Sequence, residues 1–292
     1  MLLRTHIVIA FIGTLATVPI GACGATESVP LAPAVPVFVD TTPKPLPGAQ
    51  FYIPGEVMIF EFQFRGVVVG RAALAAGAPG VLAGRPTLIV RSELETVGVG
   101  KMIQVIHDDV TSWLDTEKGR SVRQRAEMIF GERDMVFDIR MAGQWVFIEI
   151  LRRGVKYQGL RKRFARTRRQ YRLPPGQIAF DSHSVLGALR AWKGHAGQKL
   201  FFYTVSGNRI WHTELEFKGE ETKTIARGMY PAVRFEGTSQ RVTYKMELDA
   251  RQKPRTFTLW LSDDANRLPL LIEGHTEYGT AAIELIDYRK PR

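Results

Sequence analysis

Apolar and polar residues alternate one by one in many short runs, and this pattern constrains the fold more than any other feature of the sequence. Phe60, Phe62 and Phe64, for example, alternate with polar neighbours. A period of two with one apolar face is what a half-buried antiparallel strand requires. Runs of this kind occupy residues 60–65, 88–95, 122–130, 135–141, 211–218, 242–249 and 257–261. Turn residues separate them, so we predict an all-β fold: a curved antiparallel sheet, an open barrel or a sandwich.

Residues 181–192 have helical rather than strand spacing. Asp181 or Ser182 can cap the start of this helix, and Gly194 can close its end. We expect one short helix packed over one end of the sheet or on its concave face. Asp181, Ser182 and His183 include the residue types of a hydrolase triad, but neighbours on a helix point about 100° apart and cannot converge. The sequence therefore favours capping residues here over a catalytic triad.

The N-terminal 22 residues have the pattern of a secretory signal peptide. Their apolar stretch, residues 7–20, is shorter than the roughly 20 apolar residues of a membrane-spanning helix. It ends in Ile20-Gly21-Ala22-Cys23, which resembles the lipobox of bacterial lipoproteins. We predict cleavage before Cys23 and lipid on its thiol, with Gly24 in the second position directing the protein to the outer membrane. A secretory signal without lipid and an uncleaved anchor remain open alternatives.

The remaining chain divides into a tether and a domain. Residues 24–48 are rich in Pro, Ala, Thr and Val and almost uncharged, which favours an extended polyproline conformation. The predicted organisation is therefore a signal peptide at 1–22, a lipidated cysteine and Pro-rich tether at 23–51, and a single β-rich domain at 52–292. Cys23 is the only cysteine, so neither an intrachain disulfide nor a Cys-based zinc site can form.

Positive charge is concentrated in one segment. Residues 151–173 contain ten of the basic side chains and no Asp or Glu, which accounts for nearly all of the net charge of +11. Guanidinium groups bind phosphate bidentately, so the segment suits anionic lipid, lipopolysaccharide or an anionic envelope polymer; nucleic acid fits an exported protein less well. An equally open alternative is a solvated hairpin whose charges discourage edge pairing. The predicted anion-binding residues are Arg161, Lys162, Arg163, Arg166, Arg168 and Arg169.

Other chemistry-bearing residues do not form a recognisable site. Asp263 and Asp264 could act as paired carboxylates, but they lie between two predicted strands, where Asp favours a turn. The histidines lack metal-binding spacing, and no Gly-rich phosphate loop occurs. We therefore expect no cofactor and no metal, and we expect Trp260 to be a large anchor of the core.

Several groups of residues resemble the bacterial envelope family known as domain of unknown function 3108, over roughly residues 54–289. They are Gly55-Glu56, Gly66, Gly70-Arg71-Ala72, Asp181 with Ser184 and Arg190, Trp260-Leu261-Ser262-Asp263-Asp264, Leu268-Pro269 and Gly279-Thr280. The resemblance implies an exported, often lipid-anchored, β-rich protein in the style of the curved-sheet envelope proteins that include lipoprotein carriers. It implies no activity. The chain departs from the family pattern at His183 and Gly187, so the resemblance assigns no role to His183.

These observations predict a non-catalytic, outer-membrane-anchored periplasmic lipoprotein that binds an amphipathic ligand or scaffolds envelope machinery. The alternative is an envelope hydrolase acting on glycan or lipid. An enzyme would bring polar residues with shifted pKa values together in a pocket, whereas a carrier would present an apolar concavity.

Overall fold

The computed structural model describes residues 43–47, 51–153, 165–276 and 279–291. Within these ranges the chain forms one curled sheet and two short helices, which confirms the predicted all-β class. The strands are β1 (Lys44–Pro45), β2 (Val57–Phe64), β3 (Val67–Leu82), β4 (Arg85–Thr96), β5 (Ile106–Asp115), β6 (Arg120–Phe130), β7 (Arg133–Ala142), β8 (Trp145–Arg153), β9 (Ala165–Arg172), β10 (Ala179–Phe180), β11 (Lys199–Ser206), β12 (Arg209–Ile225), β13 (Gly228–Arg241), β14 (Arg255–Ser262), β15 (Pro269–Thr276) and β16 (Gly279–Arg289). The helices are α1 (Val99–Ile103) and α2 (Ser182–Ala191).

The sheet follows the chain in two consecutive halves. Its order is β1, then β11 to β16, then β2 to β9, with β10 beside β11. Apart from β1 and β10, which pair parallel with β11, all neighbours are antiparallel, as expected for strands joined by tight turns. The last strand joins the two halves, because β16 pairs with β2 with Ala281 opposite Phe64.

Helix α2 lies inside the curl of the sheet. Val185, Ala188 and Leu189 pack with the inward side chains of β11 to β14, while Leu186 packs with those of β2 to β5. One helix can contact both halves only because the sheet bends around it. Asp181 caps the helix: its carboxylate accepts from the backbone N–H of Ser184 at 2.7 Å, and the Ser184 hydroxyl accepts from the N–H of Asp181 at 2.8 Å. The predicted cap is confirmed.

The two ends of the sheet meet through side chains. Among the described residues β9 pairs only with β8, and no backbone ladder joins it to β11. Tyr171 of β9 instead donates its hydroxyl to the carbonyl of Asn208 at 3.1 Å, and Tyr171 and Leu173 pack with Tyr203 and Val205. We call this contact between β9 and β11, made by these side chains, the seam.

Two details differ from the sequence prediction. The run 242–249 is not a strand: β13 ends at Arg241, and the N–H of Met246 bonds the carbonyl of Thr243 at 3.0 Å in a turn. The carboxylate of Asp249 holds this turn by accepting from Arg241 and from Arg251. Helix α2 ends as predicted at Trp192, which is its C-cap, but Gly194 does not close it. Gly194 instead passes the Trp192 ring so closely that a Cβ would lie 2.1 Å from it.

Two further features have no counterpart in the sequence prediction. Lys44 and Pro45, within the segment predicted as tether, pair with β11, and Leu46 is buried in the core. Helix α1 presses against β3, where a Cβ on Gly100 would lie 2.0 Å from the carbonyl oxygen of Val69. Within the described ranges, neither helix has the length and apolar character needed to cross a membrane.

Candidate functional site

The described part of the predicted basic set lies on β9, an edge strand of the sheet. Arg166 and Arg168 share its outer face, because alternate residues of a strand point the same way. Arg169 points toward the seam, where its Nη1 donates to the Tyr244 hydroxyl at 2.7 Å and its guanidinium lies 5.8 Å from that ring. Cys23, Arg161, Lys162 and Arg163 lie outside the described residues.

A groove of about 680 Å³ runs over the outer face of β6 to β9. We call it the basic groove. Its charged lining includes Arg123, Arg140 and Arg168 together with the carboxylates of Asp138 and Glu149, and Phe147 forms part of its floor.

The acidic residues of the basic groove neutralise only part of its positive charge. Glu149 lies 2.6 Å from the Nε of Arg166 and 3.7 Å from that of Arg168, so one carboxylate faces two guanidinium groups. Asp138 accepts from Arg123 at 3.1 Å. Arg140 has no acidic partner among the residues that the structure describes. The groove therefore keeps a positive excess, and this excess is on an edge strand, where like charge also discourages pairing with another sheet.

A second group of polar side chains is buried beneath α2. His183 lies between two serines of neighbouring strands: its Nδ1 is 2.8 Å from the Ser112 Oγ and its Nε2 is 2.8 Å from the Ser92 Oγ. The amide nitrogen of Gln124 approaches the hydroxyls of Ser112 at 3.4 Å and Ser182 at 3.5 Å. Burial lowers the pKa of His183, although the nearby Asp181 carboxylate opposes this, so the imidazole is neutral at pH 7. A neutral ring donates to one serine and accepts from the other.

Asp108 is buried beside this network without a hydrogen-bond partner for its Oδ1. Burial, and to a smaller extent the Asp109 carboxylate, raises the pKa of Asp108 to about 7. Its side chain lines a cavity of about 40 Å³ that also contacts Ser92, Gln124 and Ser182. We call this space the interior cavity.

The interior network does not have the geometry of a Ser-His-Asp triad. In a triad a carboxylate holds the ring nitrogen opposite the nucleophile. Here both ring nitrogens of His183 face serine hydroxyls, and Asp181 uses its carboxylate to cap α2. In the described part of the chain, no three His, Cys, Asp or Glu side chains come together as a metal would require.

The residues that carry the family resemblance hold the domain together. Arg190 is fully buried against Glu56. The Glu56 carboxylate also accepts a hydrogen bond from the Tyr288 hydroxyl at 3.2 Å. Trp260 is 6% exposed and belongs to the core, as predicted. Pro269 begins β15, opposite Leu261.

Asp264 organises the turn between β14 and β15. It accepts from the backbone N–H groups of Asn266 at 2.9 Å and Arg267 at 3.0 Å, and from the Ser262 hydroxyl at 2.7 Å. Asp263 lies 3.6 Å from the Arg267 guanidinium. The carboxylates thus have separate partners, which agrees with a turn rather than with paired catalytic acids.

Sequence reasoning missed the interior network, although a signal for it exists. In β4, the inward positions Leu88, Val90 and Leu94 are apolar, and Ser92 and Thr96 are the polar exceptions in the same phase. In β5, Asp108 and Ser112 interrupt the inward series in the same way. Polar residues at the buried phase of adjacent strands would have predicted a polar interior.

Comparison with known proteins gives a family and a set of structural relatives. The family model described as "Protein of unknown function (DUF3108)" matches residues 59–286. A β-barrel-like protein of the DUF1849 family from Brucella abortus has 8% identity, with 82% of this chain and 99% of that chain covered and a TM-score of 0.49. No curated protein matches the sequence.

Two further solved structures also match. One is a protein from Bacteroides fragilis that is named as exported and has a YmcC-like fold; it has 9% identity, coverage of 83% and 100%, and a TM-score of 0.30. The other, from Parabacteroides distasonis, is named as a lipoprotein and has 8% identity, coverage of 82% and 99%, and a TM-score of 0.30.

Proposed function

The chain belongs to the DUF3108 family of proteins of unknown function, and from this starting point we propose that it is a non-catalytic envelope protein that binds anionic amphiphiles. In this proposal the chain is exported, held at the periplasmic face of the outer membrane by lipid on Cys23, and binds its ligand in the basic groove. Names of two similar structures, one exported and one a lipoprotein, support the location.

The observation that carries the proposal is the combination of an excess of guanidinium groups over carboxylates and an aromatic surface in one groove. Arg140 and Arg168 supply forked donors that match a phosphate or carboxylate. Phe147 in the lining supplies apolar area for the non-polar part of a ligand, and the Trp145 ring, whose centroid is 6.3 Å from that of Phe147, extends this area beyond the lining. The groove volume of about 680 Å³ lies in the range of known small-molecule sites.

The basic groove is also continuous in sequence with the rest of the predicted anion-binding set. Arg161, Lys162 and Arg163 belong to the connection between β8 and β9, the two strands that carry Phe147 and Arg168. Charge from this connection adds to the attraction of an anion, and such attraction is steeply salt-dependent.

The test uses the lipidated protein in nanodiscs of zwitterionic lipid, titrated with purified lipopolysaccharide or with short-chain phosphatidylglycerol. The six-residue Gln variant at the predicted positions, and Arg140→Gln/Arg168→Gln in the groove, should each bind at least about tenfold more weakly. Raising salt from about 50 to 200 mM should weaken binding by the wild type. The two ligands distinguish a glycolipid from a glycerophospholipid as the preferred anion.

A matched control for charge is Arg85→Gln/Lys253→Gln, which removes two exposed basic residues outside the groove. Equal losses in the control and the groove variant would mean that net charge, and not the groove, drives binding. If neither higher salt nor the variants weaken binding, β9 is a solvated edge strand and not part of a binding site.

One contact favours the alternative of an envelope hydrolase. The Ser92 hydroxyl lies 2.8 Å from the Nε2 of His183 and borders the interior cavity, as a nucleophile beside its base would. Hydrolysis of short-chain esters that is lost in Ser92→Ala and in His183→Gln would establish this alternative. Ester hydrolysis that persists in Ser92→Ala would rule out the hydrolase alternative.

A further inference from the structure

The interior cavity is closed on several sides by the inward faces of the sheet. Strands β4 to β7 form most of its wall, Ser182 at the start of α2 lies on another side, and Val205 to Gly207 at the end of β11 complete it. It therefore lies inside the curl, between α2, strands β4 to β7 and the end of β11, on the opposite face of the sheet from the basic groove. The proposed binding of anionic amphiphiles does not involve this cavity.

The polar wall of the interior cavity consists mainly of hydrogen-bond acceptors. The Oδ1 of Asp108 is buried and has no partner. The amide nitrogen of Gln124 is directed at the hydroxyls of Ser112 and Ser182, so the acceptor that this side chain can offer the cavity is its amide oxygen. The Ser92 Oγ contacts His183 and retains a further lone pair. Such a wall matches a group that donates several hydrogen bonds.

The remaining wall is apolar and the space is small. Leu94, Ala126 and Phe137 supply hydrocarbon opposite the acceptors. A water occupies about 10 to 15 Å³ by this measure, so a cavity of about 40 Å³ holds roughly three or four non-hydrogen atoms. The cavity therefore suits a compact group with one polar end and one short apolar end.

From this arrangement we propose that the interior cavity binds a primary ammonium group on a short hydrocarbon, with Asp108 as its counter-ion. An ammonium group has three N–H donors and no acceptor, which matches Asp108, Gln124 and Ser92 in number and in kind. An ion pair with a buried carboxylate also satisfies the unpartnered Oδ1, which is otherwise costly to bury. The raised pKa of Asp108 agrees with a carboxyl that lacks a cation.

The test measures the thermal stability of the full-length processed protein with increasing methylammonium or ethylammonium chloride, against sodium chloride at equal ionic strength. A ligand that binds the folded state raises the melting temperature in a concentration-dependent way. We expect both ammonium ions to do so, whereas choline, which is larger and has no N–H, should not. Methanol and ethanol at the same concentrations test whether a neutral donor suffices.

Two variants remove the site in different ways. Asp108→Asn keeps the shape of the side chain and should weaken methylammonium binding at least tenfold. Ala126→Leu keeps the charge but fills the cavity, and should also abolish binding. Asp134→Asn on β7, outside the cavity lining, is the matched control and should bind like the wild type.

The proposal would be overturned by any of three results. These are no stabilisation by either ammonium ion, equal stabilisation by the corresponding alcohols, and an unchanged response of Asp108→Asn. If Ala126→Leu does not fold, Asp108→Asn still decides, because the replacement is isosteric and removes a buried charge. Failure of the basic groove variants in anion binding would leave this result unaffected.

Discussion

Arg190 of α2 and Glu56, which precedes β2, form a bidentate ion pair with distances of 2.7 and 3.0 Å, and neither side chain is exposed to solvent. The pair ties three parts of the chain together. Arg190 also donates to the carbonyl of Asn266 at 3.0 Å, and its guanidinium lies 5.0 Å from the Phe51 ring. The segment before β2 is thereby held across the helix, where the N–H of Phe51 bonds the carbonyl of Gly187 at 3.0 Å.

Breaking this pair from one side should destabilise the protein strongly. Arg190→Met leaves the Glu56 carboxylate buried without its cation, and we expect a loss of about 3–5 kcal/mol in the free energy of unfolding. Arg190→Met/Glu56→Gln removes both charges and should recover part of that loss. Urea unfolding measures the free energy of unfolding of the wild type, the single variant and the double variant.

The exposed pair Arg91–Asp109 provides the control, because Arg91 is 58% exposed. Arg91→Met should cost less than about 1 kcal/mol. Similar losses for Arg91→Met and Arg190→Met would contradict the importance given to the buried pair.

The raised pKa of Asp108 should appear in the pH dependence of stability. Its ordinary value is 3.8 and its folded value is about 7, so between these the folded state holds the proton more tightly than the unfolded state. The stabilisation that proton binding at Asp108 adds to the free energy of unfolding is therefore fully present below about pH 4, and it is lost as the pH rises to about 7. Asp108→Asn should consequently gain stability relative to the wild type across this interval, by as much as about 4 kcal/mol. Urea unfolding from pH 4 to 8.5 measures the difference, and a difference independent of pH would show that Asp108 titrates normally.

Trp260 should be essential for the stability of the domain. Its indole is buried, its Nε1 donates to the Glu221 carboxylate, and the Lys223 ammonium lies 3.7 Å from the centre of its ring. Trp260→Ala should cost about 3–5 kcal/mol. Trp145→Ala, at a ring that is 38% exposed, should cost much less. A melting temperature unchanged by Trp260→Ala would remove this residue from the core.

The predicted lipid anchor depends on one atom, the Sγ of Cys23. Cys23→Ser should release the protein in soluble form or leave it unprocessed, because no other cysteine can carry the lipid. Thr26→Ser, three residues later, should fractionate like the wild type. Cell fractionation with size analysis decides, and a Cys23→Ser protein of mature size in the membrane fraction would show that something other than lipid holds it there.

Local pattern in the sequence was sufficient to predict α2 and six of the strands, which are β2, β4, β6, β7, β12 and β14. The alternation in residues 60–65 and 122–130 corresponds to β2 and β6, because one side of each strand faces the core. The run 242–249 alternates equally well and still forms a turn, since Arg241 and Arg251 converge on Asp249. Alternation indicates which side of a segment can be buried. It does not reveal an ion pair that turns the chain.

The buried polar groups could not be assigned from local pattern. Glu56 and Arg190 are 134 residues apart, and each on its own would be expected at the surface. His183 contacts Ser92 and Ser112 only because the sheet curls around α2. Such contacts depend on which strands become neighbours of the helix, and this is a property of the whole topology.

At the seam, β9 and β11 can separate without any strand losing its hydrogen-bonded neighbour among the described residues. Within the ranges that the structure describes, side chains bridge it, with Tyr171 donating to the carbonyl of Asn208 and Arg169 donating to Tyr244, while β9 stays paired with β8 and β11 with β12. In the described part of the chain, separating β9 from β11 therefore costs side-chain packing and side-chain hydrogen bonds but no backbone pairing. Amide protons of β8 and β12 should therefore remain protected from exchange during such an opening.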